Sequence, residues 1–64
     1  MNINERLREH AQNNGIKQSY ISSQTGISND AISKIMNNKR KATADEFLRI
    51  CAALKIDPNE FRGA

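Results

Sequence analysis

The sequence predicts an all-α fold, a compact arrangement of five short helices in a single domain. Three observations lead there. Apolar residues recur at three- and four-residue spacing through most of the chain, which is the period of helices with one buried face. No run alternates apolar and polar residues, so a sheet has little support. Capping residues stand at the ends of the periodic stretches. With 64 residues, the chain forms one domain, residues 1–64, with a modest core.

The first helix runs from about Ile3 to Asn13, with Ile3, Leu7 and Ala11 on one stripe. Asn2 can cap it, with Glu5 as capping-box partner, and Asn14-Gly15 ends it. The second runs from about Gln18 to Gln24; its N-cap position holds Lys17, a poor capping residue. Thr25-Gly26-Ile27 then turns the chain, Gly26 permitting a sharp bend and Ile27 pinning the turn to the core. The third helix spans Asn29 to Met36 behind an N-cap Ser28, and Asn37-Asn38 closes it. A loop from Asn38 to Ala42 follows.

Thr43 opens the fourth helix with a full capping box, Thr43-Ala-Asp-Glu46. Phe47, Leu48, Cys51 and Leu54 form its expected buried stripe, with Ile50 on the margin. Asp57-Pro58-Asn-Glu60 signals a last, short helix whose only large apolar residue is Phe61. The expected core is Leu7, Ala11, Ile16, Ile21, Ile27, Ile32, Ile35, Leu48, Cys51, Leu54, Ile56 and Phe61. The second helix is too short and polar to stand alone, so packing on the first, third and fourth must hold it.

Several function classes are disfavoured. There is no nucleophile beside a base, no Gly-rich phosphate cradle and no paired-histidine metal motif, so an enzyme is not expected. A single Cys51 and a single His10 make neither a disulfide nor a metal site, and no cofactor is called for. No apolar run suits a membrane span or a signal peptide, so a reducing cytoplasm is the expected compartment. Nothing suggests a pocket for a small-molecule ligand.

The charge has a direction. Between Lys17 and Ala44 stand five basic residues, Lys17, Lys34, Lys39, Arg40 and Lys41, against Asp30 alone; the rest carries five basic residues against six acids. A one-sided basic surface is the electrostatic footprint of a polyanion partner. The excess lies in and just after the second and third helices. Two helices joined by a short Gly-containing turn cross steeply, the helix-turn-helix arrangement that reads DNA.

From Ile16 to Ile56 the chain resembles the lambda-repressor-like, Cro-type helix-turn-helix family of bacterial and phage transcription regulators. The likeness is carried in order by Gln18, Ile21-Ser22, Gly26-Ile27-Ser28, Ile32-Ser33-Lys34-Ile35, Asn37-Asn38-Lys39-Arg40 and Ala53-Leu54-Lys55-Ile56, without a gap. Each motif is weak alone; the ordered series is specific. The chain departs from the family pattern where Lys17 replaces a Thr or Ser cap, Met36 an acidic residue and Asn38 a loop Gly. Asn38 would then take a left-handed conformation at about 1 kcal/mol relative to Gly.

The resemblance implies a sequence-specific regulator of double-stranded DNA, a repressor, reading the major groove with the third helix (residues 28–36). Asn29, Asp30, Ser33 and Lys34 match positions that face base edges. Asn suits adenine, Lys suits guanine O6 and N7, and Asp can accept from cytosine N4. Lys17, Gln18, Ser28, Asn37, Lys39, Arg40 and Lys41 match phosphate-contacting positions. Asp30 has a second role, since an acid in the first helical turn is stabilised by the macrodipole whether or not DNA is present. The implied partners are an inverted-repeat duplex and a second copy of the chain, in a weak or DNA-induced homodimer formed around Ile56, Phe61 and Ala64. When bound, the protein would be associated with the nucleoid. The rival readings are a helical protein-interaction module and the DNA-binding part of a longer repressor or antitoxin.

Overall fold

The computed structural model describes residues 3–61. Among them are four α-helices, α1 (Ile3–Asn13), α2 (Gln18–Thr25), α3 (Asn29–Met36) and α4 (Ala44–Leu54), then one turn of 3-10 helix, Pro58–Phe61. The boundaries agree with the sequence reading except that α2 runs one residue further and the expected fifth helix is only this turn. It is a turn for a local reason. The Asp57 carboxylate accepts from the Asn59 amide (3.0 Å) and its carbonyl from the Glu60 amide (2.9 Å), a bond across three residues that winds the segment as 3-10 rather than α-helix.

The core is one cluster of Leu7, Ala11, Ile21, Ile27, Ile32, Ile35, Met36, Ile50, Cys51, Leu54 and Ile56, with Ile16, Ala31, Ala42 and Phe47 packed around it half-buried. Two assignments within it are corrected. Leu48 is 54% exposed and Ile50 is fully buried, the reverse of the expectation. Once Phe47, Cys51 and Leu54 face inward, Ile50 completes their i, i+3, i+4, i+7 stripe, and Leu48 stands about 200° around the helix from Ile50. Likewise α1 buries Asn4, Leu7 and Ala11 and leaves Ile3 exposed. Met36, which departs from the family pattern, is also buried in the core. The cap expected at Asn2, the side chain of Phe61 and Ala64 lie outside the described residues.

Helix α2 has no side-chain cap at Lys17 and buries only Ile21 and Thr25. Its place is set by packing on α4 and α3. Gly26 takes a left-handed conformation (φ 77°) and its amide closes the helix on Ser22 O (2.9 Å). The Thr25 hydroxyl fastens the turn internally, donating to Ile21 O (2.8 Å) and accepting from the Ile27 amide (3.1 Å). Ser22 Oγ donates to Ile27 O, and Arg49 Nη1 of α4 donates to Thr25 O (3.4 Å). The crossing of α2 and α3 is thus fixed by polar contacts inside the turn as well as by Ile27 beneath it.

Candidate nucleic-acid interface

Helix α3 divides into two faces. Ile32, Ile35 and Met36 go into the core, and that anchors the opposite side, where Asn29, Asp30 and Lys34 are exposed, with Asn37 just beyond the last turn. Ser33 is half-buried. Ser28 starts the helix by accepting from the Ala31 amide (3.1 Å). The four residues expected to meet base edges therefore lie on one short, rigidly held helix, with Ser33 the least accessible.

These side chains also meet each other. Lys34 Nζ is 3.1 Å from Asp30 Oδ2, one turn apart on an exposed surface. Asn37 folds back so that its Nδ2 donates to Ser33 O (2.9 Å) and Ser33 Oγ (3.3 Å). The Asn29 side chain has no hydrogen-bond partner among the described residues. The polar face thus presents one open amide at its leading end and a Lys–Asp pair that acts together.

The loop after α3 carries the concentrated charge. Asn38 adopts the expected left-handed conformation (φ 60°). The Asn38 amide reaches Ile35 O (3.1 Å) and the Lys39 amide Lys34 O (2.8 Å), so the loop leaves the helix in a defined direction. The Lys39 and Lys41 side chains are exposed and unpaired among the described residues. Arg40 between them is different. Its Nη1 and Nη2 donate to the two carboxylate oxygens of Glu46, each at 2.9 Å, and Nη1 also reaches Lys41 O (3.2 Å). Glu46 at the same time accepts from the Thr43 amide (2.9 Å), completing the capping box. The Arg40 guanidinium, with the Thr43 amide beside it, lowers the Glu46 carboxyl to about 2. Of the basic residues expected to touch phosphate, Arg40 is the one whose side chain is already engaged among the described residues. Lys17 and Gln18 are exposed at the start of α2.

Two contributors were not found from the sequence. Asn4 of α1, only 7% exposed, donates from Nδ2 to Arg40 O (2.9 Å) and lies 3.5 Å from Asn38 Oδ1, holding the loop from across the molecule. Its signal was available: a polar residue at i−3 from Leu7 on the apolar stripe must find a buried partner. Glu46 was recognised as a cap, but its second role with Arg40 was not. Cys51 is fully buried, and burial, with the nearby Glu60 charge second, pushes its thiol up, as suits a core residue.

Among the described residues no helix is long and apolar enough to cross a membrane, and no three His, Cys, Asp or Glu side chains gather as a metal site. Compared with known protein families, residues 4–61 match the model of a family described as a helix-turn-helix domain. No curated protein and no solved structure matches the chain.

Proposed function

The chain belongs to the helix-turn-helix domain family, and from that premise we propose that it is a sequence-specific, double-stranded DNA-binding transcription regulator acting as a repressor. The observation that carries the reading is the division of α3: a fully buried apolar face behind an exposed polar one, followed directly by the unpaired Lys39 and Lys41. A helix anchored this way can enter the major groove without distorting the core. Asn29 is the residue assigned to adenine. Lys34 donates to guanine, Asp30 accepts from cytosine N4, and Ser33 supports from a half-buried position. Lys17, Gln18, Ser28, Asn37, Lys39 and Lys41 meet the phosphates, which supply most of the affinity and make it fall steeply with salt. One module this small covers a few base pairs, so two copies bind inverted half-sites about one helical turn apart.

The test is selection of bound duplexes from a random library, followed by titration of the recovered sequence at several salt concentrations. An enriched inverted repeat, with steep salt dependence, is the expected result. No enriched motif together with a shallow salt slope overturns the reading.

A further inference from the structure

Arg40 sits between the two lysines assigned to phosphate, yet the fold uses it elsewhere. In the bend that follows α3, Lys39 and Lys41 are exposed, whereas Arg40 turns inward to a half-buried position. There its planar fork meets both oxygens of Glu46 at 2.9 Å, a bidentate geometry that a lysine cannot reproduce. The same carboxylate holds the Thr43 amide at the start of α4. From the other side, Asn4 of α1 holds the carbonyl of Arg40 itself at 2.9 Å. One residue is thus tied through its side chain to α4 and through its backbone to α1, and its two neighbours project from that fixed point.

We propose that Asn4, Arg40 and Glu46 are positioning residues for DNA binding: they set the loop so that Lys39 and Lys41 meet phosphates together, and Arg40 makes no phosphate contact of its own. This rests on the DNA-binding reading above. Placed beside Glu46, the Arg40 charge is locally neutralised, and Glu46 stays ionised at any pH used for binding. The ordering of the loop before DNA arrives avoids an entropic cost on association. The proposal has a counter-intuitive consequence. Removing the negative charge of Glu46 from a basic surface should strengthen attraction to DNA on net charge alone, whereas here it weakens binding.

The experiment measures affinity of the full chain for its selected duplex across a salt series, for wild type and for Lys39→Gln, Arg40→Gln, Arg40→Lys, Glu46→Gln and the double variant Arg40→Gln/Glu46→Gln, each checked for folding by a circular-dichroism melt. Lys39→Gln should lower the slope of log K against log salt by about 0.9, the signature of one lost phosphate contact. Arg40→Gln, Arg40→Lys and Glu46→Gln should each weaken binding by roughly five- to tenfold with the slope unchanged, and the double variant should be no weaker than either single. Arg40→Lys matters most, because it keeps the charge and disturbs the fold least. Arg40→Lys binding like wild type, a slope loss of about 0.9 for Arg40→Gln, or tighter binding by Glu46→Gln overturns the proposal and returns Arg40 to the phosphate. If the wild-type chain selects no duplex, both this proposal and the DNA-binding reading fall; if wild type selects a motif but the variants match it, only this proposal does.

Discussion

Replacing Thr25 by Val probes the joint on which the two crossing helices depend. The two side chains have nearly the same shape, so packing is conserved and only the hydroxyl is lost. In the native turn that hydroxyl is buried, donates to Ile21 O at 2.8 Å and accepts from the Ile27 amide at 3.1 Å. Ile21 O retains its place in the helix, but the Ile27 amide loses its acceptor at a buried position. Leaving one buried donor unsatisfied costs about 1–3 kcal/mol. A 64-residue chain has a total stability on the order of 3–10 kcal/mol. The loss is therefore a sizeable part of the whole, and at about 4–8 °C per kcal/mol a mid-range value lowers the melting temperature by roughly 8–16 °C. Thr25→Ser is the matched control. It keeps the hydroxyl and removes one methyl, at about 0.8 kcal/mol. Urea and thermal melts followed by circular dichroism should rank wild type above Thr25→Ser and Thr25→Ser above Thr25→Val. If Thr25→Val melts with wild type, or Thr25→Ser is the worse of the two, the hydroxyl is not what fastens the turn.

Three further outcomes are expected. Asn29→Ala should change which bases are preferred in a repeated selection, whereas Lys39→Ala should weaken all sequences alike and reduce the salt slope by about one; an unchanged base preference for Asn29→Ala removes that residue from its assigned role. Glu46 has its carboxyl lowered to about 2 from the ordinary 4.5, so the folded state binds its proton less readily than the unfolded state. Its contribution to stability is complete above pH 4.5 and is lost as pH falls towards 2, and urea midpoints over that range should drop less for Glu46→Gln than for wild type. Lys55 ends α4 in a left-handed conformation (φ 59°), so Lys55→Gly should stabilise by up to about 1 kcal/mol, read from the shift in urea midpoint; a loss of stability contradicts the strain assigned there.

The fold was legible wherever a local rule decides. Ser28, Thr43 and the Asn14-Gly15 pair mark boundaries through bonds made within a few residues, and Asn38 took the left-handed conformation its position demanded. The misreadings share one cause. Between Phe47 and Leu54 there are more apolar residues than one helical face can hold, so the stripe can be drawn through Leu48 or through Ile50. Only packing on α2 and α1 chooses between them. Ile3 and Asn4 pose the same problem in α1, sharpened by chemistry. A hydropathy reading prefers Ile3 inside, but the fold buries Asn4 because the carbonyl of Arg40, thirty-six residues away, is there to accept from it.

The site divides along the same line. The outward-facing residues Asn29, Asp30 and Lys34 could be placed by elimination, since α3 buries Ile32, Ile35 and Met36 on one side, although Ser33 on the same helix is half-buried. The contacts of Asn4, Arg40 and Glu46 could not, because they depend on partners that only the folded chain brings together. Asp30 and Lys34 lie between these cases. Their four-residue spacing was visible, yet each was assigned a base independently, and the 3.1 Å contact joins them in the free protein. The consequence is limited by magnitude. An exposed i, i+4 pair contributes about 0.3–0.5 kcal/mol, whereas a good base contact discriminates by about 1–3 kcal/mol. DNA can therefore separate the pair at little cost, but only if Asp30 also finds a donor. A lysine drawn to guanine beside a carboxylate left facing phosphate loses much of its advantage. On the proposed reading, selected sites should therefore pair a guanine for Lys34 with a cytosine amino group within reach of Asp30. Substituting Asp30 by Ala should raise affinity for DNA in general while relaxing the preference at that position, and selections with Asp30→Ala that return the wild-type motif unchanged would show that Asp30 only supports the helix.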